Sequence, residues 1–384
     1  MKKLLLPLLL LATTVLAADD DGFVPLFNGR DLSGWVNANC APETWSVRDG
    51  VIHCTGQPTG ALRTERQYEN FILEAEWRHL SKGGNSGIFI WGTPIAAPGV
   101  PFLRGIEVQV LDHGFNIPGK NEWYTTHGDV FPIHGATMKP FGRNNGMRSF
   151  PSEERSKGSP EWNHYRIVCS NGVIRLSVNG KEVSGGEDCN YRKGYLALES
   201  EGAPVEFRQV RIKELPASDT AANMTAPVDN GLRTLFTGLD LRGWQTNAAT
   251  ATRWQAGGNR LVLKAGEAKS DAALWAEQPW VDFELVLDCR VEKAGETNKP
   301  VVPVVKMQLA GNFNFDIQLT GATNNYERFC IAVQRGELTV KRGEKAIEMI
   351  KLPAGTLGKR RIGLADVGAK VEFMNLYARD LPAR

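Results

Sequence analysis

Residues 71–78 read FILEAEWR, and residues 283–290 read FELVLDCR. In the first stretch Phe71, Leu73, Ala75 and Trp77 alternate with Ile72, Glu74, Glu76 and Arg78. A period of two puts one set on each face of a β-strand. The same alternation recurs at Ile106, Val108 and Val110 against Glu107 and Gln109. Asp49-Gly50, between Trp45-Ser46-Val47 and Val51-Ile52-His53, and Asn179-Gly180, between Ile174–Val178 and Val183, are hairpin signals. Helical periodicity is scarce. Many short strands with glycine-rich turns predict an all-β chain built as a β-sandwich.

The two opening stretches belong to a longer internal repeat. Residues 25–35 read PLFNGRDLSGW and residues 234–244 read TLFTGLDLRGW, identical at seven of eleven positions. Glu107-Val108-Gln109-Val110 matches Asp316-Ile317-Gln318-Leu319, and Gly202-Ala203-Pro204-Val205-Glu206-Phe207 matches Gly368-Ala369-Lys370-Val371-Glu372-Phe373. The offset falls from 209 at Glu107 to 166 at Gly202, so the second copy lacks 43 residues that the first has. A period this long means two domains rather than a solenoid. The expected organisation is a signal peptide over 1–18, a first domain over 19–215, an Ala-, Thr- and Pro-rich linker over 216–230, and a degenerate second copy over 231–384.

Lys2 and Lys3 precede the apolar run Leu4–Leu11, which is short for a membrane span. This leader predicts a periplasmic or secreted protein. The 45 basic and 43 acidic residues nearly balance, so charge suggests no nucleic-acid partner and no anionic membrane partner. Six cysteines in an exported chain suggest the disulfides Cys40–Cys54, Cys169–Cys189 and Cys289–Cys330.

The stretch of the first copy that holds the insertion includes His113 to Pro160 and is polar, aromatic and turn-rich. A loop of that length inside a compact domain is usually functional or disordered, and its fixed-turn and aromatic residues favour function. All six histidines fall in the first copy. Their spacing matches no metal motif and there is no HExxH, so no cofactor is expected; a divalent metal stays open as an alternative that no motif indicates. His127 and His134 are candidates for acid–base work. Asn85, in Gly83-Gly84-Asn85-Ser86-Gly87, is a candidate contact to a sugar hydroxyl. Glu107 shares a strand face with Gln109, and Glu199 stands where the second copy has Ala365.

Together these segments resemble the 3-keto-disaccharide hydrolase family. The resemblance rests on Leu26-Phe27-Asn28-Gly29 with Asp31-Leu32 and Gly34-Trp35, on Gly84-Asn85-Ser86-Gly87, and on Glu107-Val108-Gln109. It continues through Ser149–Arg155, Glu161-Trp162-Asn163, and Gly194–Leu198 running into Val205-Glu206-Phe207-Arg208. It implies two concanavalin-like (laminarinase-like) jelly rolls in tandem, the second degenerate. Laminarinase-type glycosidases of this fold use two carboxylates along one strand face, whereas the matching face here reads Glu107, Gln109, Leu111. The family's own chemistry needs one base. It removes the C2 proton of a sugar oxidised at C3, and the C1 substituent leaves by β-elimination. On that reading Glu107 or Glu199 is the base, and Arg148, Arg155 or His134 stabilises the enolate. Asn85, Gln109, His127, Arg148 and Glu153 hold substrate. The expected partners are a carbohydrate and a separate oxidoreductase that makes the keto-sugar. Non-catalytic carbohydrate binding and ordinary glycoside hydrolysis are the alternatives. A NAD-linked enzyme is disfavoured, because no GxGxxG follows a strand.

Overall fold

The computed structural model describes residues 21–119, 122–292, 301–309, 314–353 and 358–382; the leader expected over 1–18 lies outside them. The described chain forms four antiparallel sheets arranged as two sandwiches, and its α-helical content is the single helix Ala248–Arg253. Both hairpins form as the sequence predicts: Trp45–Arg48 pairs with Val51–Cys54, and Val173–Val178 with Lys181–Asn190. Their turns hold Asp49 (φ 50°) and Gly50 (φ 75°), and Asn179 (φ 47°) and Gly180 (φ 87°). Positive φ at both positions gives a turn whose twist matches the flanking strands.

In the first sandwich one sheet centres on Phe71–His79, flanked by Asn163–Ser170 and Val205–Glu214. Phe71, Leu73, Ala75 and Trp77 are buried, as the alternation requires. On the other face Glu74 meets Arg166 and Arg211, and Glu76 meets Arg208. The facing sheet runs Asn144–Asn145, Arg148–Ser149, Val130–Ile133, Gly105–Leu111, Asn85–Gly92, Tyr195–Ser200, Gly60–Thr64, Trp35–Ala38. Its inner residues Ile88, Ile90, Val108, Val110, Leu196 and Leu198 join Trp77 and Phe207 in one core. Truncating a buried tryptophan such as Trp77 to alanine costs about 3–5 kcal/mol.

The second sandwich has a sheet centred on Phe283–Val291 and a smaller one ordered Trp244–Gln245, Leu274–Ala276, Arg361–Leu364, Val304–Gln308, Asn314–Gln318. The halves meet through residues 94–100 of the first. There the backbone NH of Ala96 donates to the Tyr377 hydroxyl (3.1 Å) and that of Gly99 to Asp288 (2.9 Å). Asn375 donates to the carbonyls of Ala97 and Val100. This contact covers the face that carries Asp288, whereas the matching face of the first half, with Glu76, carries half-buried ion pairs.

The expected disulfides are corrected by the structure, in which all six cysteines are free thiols. In the third pair, Cys289 opposes Glu327 and Cys330 opposes Val286. An odd offset of three residues puts the two thiols on opposite faces of the sheet, where no bridge can form. Cys40 and Cys54 lie in the first core, as do Cys169 and Cys189, and burial pushes all four thiols up from the ordinary value.

Candidate active site

The eight-stranded sheet of the first half turns its outer face into the floor of a cavity of about 250 Å³. Three neighbouring strands build that floor. Gly87 opposes Gln109 on one side, and Phe89 opposes Glu107 on that side and Ala197 on the other. One step further along the same ladder, Glu199 comes beside Gly87. Because alternate residues share a face, Gly87, Glu107, Gln109 and Glu199 all point into the cavity. A Cβ on Gly87 would sit 2.9 Å from Glu107 Oε1 and 2.9 Å from Glu199 Oε2. Only glycine leaves room for both carboxyls at this point, and that gives the last residue of the Gly84-Asn85-Ser86-Gly87 motif its physical reason.

Glu201, two residues beyond Glu199, also lines the cavity and accepts a hydrogen bond from Asn85 Nδ2. A chain of polar contacts continues from there. Gln109 Nε2 donates to Asn85 Oδ1 (2.9 Å) and to the Ser86 carbonyl (3.1 Å). Arg148 Nη2 donates to Gln109 Oε1 (3.2 Å), and Arg148 Nη1 to Asp129 (3.2 Å). The Arg148 guanidinium lies 3.4 Å from the centre of the Phe131 ring. Asp129 also accepts from the backbone and hydroxyl of Thr125. Glu199 differs: its Oε2 is buried and has no hydrogen-bond partner among the described residues.

Burial is the main force on these acids, since a dry site disfavours a carboxylate. Burial and then the charge of Glu201 push Glu107 well above the ordinary carboxylate range, while Arg148 pulls it back. Burial, then Glu107, then Glu201 push Glu199 up, and no cation opposes them. Burial also raises Glu201, against the Asn85 hydrogen bond. The three compete for negative charge, and Glu107 is the one that faces a guanidinium.

Aromatic and apolar side chains make the walls. Phe102 stacks on His134 at 5.4 Å with rings nearly parallel, and partial desolvation lowers the His134 pKa. Trp123, from the insertion, lines the cavity and is 51% exposed. The insertion therefore supplies Trp123, Tyr124, Phe131, Ile133, His134 and Arg148 to one cavity.

The structure brings together Asn85, Glu107, Gln109, His134, Arg148 and Glu199. It places the other three candidates elsewhere. Arg155 donates to the Val178 and Asn179 carbonyls (3.2 and 3.1 Å) and so caps a hairpin. Glu153 is an exposed partner of Lys181 and Arg155. His127 Nδ1 lies 3.0 Å from the Ser156 hydroxyl and packs on His113 at 4.8 Å, pinning the insertion. Sequence reasoning missed Glu201, Phe102 and Trp123. The i, i+2 spacing of Glu199 and Glu201 carried a signal for the first, because both must share a face.

The structure also overturns the argument from a missing second carboxylate. That argument considered one strand, whereas the second and third acids come from a strand two places away in the sheet.

The chain has relatives of known name. It is 24% identical over 256 residues to the 3-keto-disaccharide hydrolase of Bacteroides thetaiotaomicron, which covers 52% of this chain and 81% of that one. A Parabacteroides distasonis protein, named a putative glycosyl hydrolase, is 23% identical over 51% of this chain and 94% of its own, with a TM-score of 0.42. The carbohydrate-binding module CBM66 of Bacillus subtilis is 13% identical over 47% of this chain and 96% of its own, with a TM-score of 0.34. The profile of the 3-keto-alpha-glucoside-1,2-lyase-like domain matches residues 22–213, half of the chain, and the protein belongs to that family.

Proposed function

We propose that the first half cleaves glycosides oxidised to a ketone at C3, by proton abstraction at C2 and β-elimination. The observation that carries this reading is the pairing of unequal acids around Gly87: Glu107 beside Arg148, and Glu199 with no cation. Environments that push two carboxyls apart assign base and acid. Glu107, the acid of the pair whose charge Arg148 favours, takes the C2 proton in its ionised form. The C2–H electron pair forms the C2–C3 double bond, and the ketone oxygen takes the resulting charge. Glu199, held protonated, donates to that oxygen. Collapse of the enolate restores C3=O, forms the C1–C2 double bond and expels the C1 oxygen with its electron pair. Water adding across C1–C2 makes the net change hydrolysis; without it the enzyme is a lyase. Asn85 and Gln109 orient hydroxyls, and Trp123 offers a ring face to the sugar.

The relative's name, 3-keto-disaccharide hydrolase, supports a carbohydrate of this kind as substrate. The keto-sugar has to come from a separate oxidoreductase. The leader-like residues 1–18 support export to the periplasm or beyond.

A second reading has one observation behind it. Glu107 and Glu199 flank a single point from the same sheet face, and a close carboxyl pair also serves retaining hydrolysis of an unoxidised glycoside. One experiment separates the two: incubation with a 3-keto-disaccharide and with its parent, in D2O, followed by mass spectrometry. Elimination predicts release from the keto form alone, with deuterium gained at C2. Glu107→Gln should lower that rate about 10³-fold, within the range for loss of a general base. Equal release from the parent without C2 exchange, with the anomeric configuration kept in the first-formed product, would establish retaining hydrolysis instead.

A further inference from the structure

A second cavity, of about 260 Å³, lies between the two halves and shares a wall with the first. His134 lines both. The second cavity is bounded by Ile95 and Ala97 of the first half, by Pro227 and Val228 of the connecting segment, and by Arg328 of the second half. Arg328 is committed to Asp288 (2.7 Å) and to the Ala96 carbonyl (2.8 Å), so it braces the wall. Arg104 is different. Its guanidinium lies 4.0 Å from the centre of the Tyr191 ring, and its buried Nε has no hydrogen-bond partner among the described residues. Arg104 Nη2 lies 3.5 Å from Asn190 Oδ1, so this side chain closes one end of the cavity.

We propose that this cleft is the aglycone subsite. The inference rests on the reading above, in which the sugar ring occupies the Glu107 cavity. The C1 substituent then leaves past His134, and the space it enters is lined mainly by apolar side chains. The occupant these features select is a single aromatic ring, as in an aryl glycoside. Its size fits, since a dry cavity of about 150 Å³ is enough for benzene. The second half thus contributes to substrate choice without holding a catalytic group.

Val228 is 73% exposed, and the geometry assigns it no catalytic role, so it can be altered without disturbing the core. The test compares p-nitrophenyl 3-keto-glucoside with methyl 3-keto-glucoside on wild type, Val228→Asp and Val228→Trp. Both variants should raise KM for the aryl substrate by on the order of tenfold, the scale of one apolar pocket contact. The methyl substrate and both kcat values should not change. Equal effects on the two substrates, or none, would overturn the subsite. A turnover-independent arm measures calorimetric binding of unoxidised phenyl glucoside to the same three proteins. Binding weakened tenfold by Val228→Asp, with no turnover of either keto-sugar by wild type, would sink the elimination chemistry and leave the subsite standing. Intact turnover with unaltered aryl binding would do the reverse.

Discussion

The two halves run the same strand ladder with opposite results at one sheet face. Where Gly87 faces Gln109 in the first half, Val304 faces Gln318 in the second. Where Phe89 faces Glu107, Lys306 faces Asp316, and the two form an ion pair at 2.8 Å. Glu199 gives way to Ala365, whose backbone NH donates to the Val304 carbonyl (3.0 Å). Glu201 corresponds to Val367 by the same offset. In the second half the strand Asn314–Gln318 pairs only with Val304–Gln308 among the described residues, and Asp316 is exposed. In the first half the insertion adds three more strands beyond Glu107, and these wall its carboxyl off from water. An acid on an open sheet edge is an ordinary solvated carboxylate. The same position becomes chemically distinctive only when neighbouring strands bury it beside a second acid.

Changing first-half residues to their second-half counterparts tests that contrast. Gly87→Val should have the largest effect. Its Cβ enters the space of both carboxyls, and displacement of about 1 Å at reacting groups costs about 10²-fold or more in rate. Loss of turnover on a 3-keto-disaccharide by a variant that still melts cooperatively, at a somewhat lower temperature, is the expected result; full activity would refute the crowding argument. Glu199→Ala should follow, at about 10²-fold in kcat, for loss of one donor to the enolate oxygen. The same position has a second readout. All three buried acids have raised pKa values in the folded state, so the fold binds more protons than the unfolded chain. Their contribution to stability is full below the ordinary carboxylate range and is lost as pH rises through the raised values. Wild type should therefore melt lower at pH 8 than at pH 5, and Glu199→Gln should flatten that slope. A slope unchanged in Glu199→Gln would show that Glu199 is not the buried acid described here. Trp123→Ala should be mildest, raising KM by about tenfold with kcat kept, because a platform residue holds ground and transition states alike. A fall in kcat alone would give Trp123 a different role.

Phe71–Arg78 and the Asp49-Gly50 and Asn179-Gly180 turns specify strands and hairpins by themselves, because alternation and positive φ are local properties of a few residues. The repeat, compared position by position, likewise singled out Glu199 against Ala365 and the insertion after Leu111. Side-chain destinations within that insertion were not legible. Arg148 and Arg155 are the same residue type seven residues apart, yet one lies over Phe131 in the cavity and the other caps a hairpin. Their fates depend on where the strand Arg148–Ser149 joins the sheet, which is a non-local event. The cysteines failed as a guide for the same reason: strand register, not count, set the faces of Cys289 and Cys330.

The amino-acid sequence by itself therefore determined the all-β class, the tandem arrangement and the half that holds the candidate site, since each is written in short-range pattern or in the comparison of copies. Only the tertiary structure decided which acids meet. Glu107 and Glu199 are 92 residues apart in the chain and become neighbours because their strands flank Gly87, the one residue small enough to let both carboxyls reach the same point.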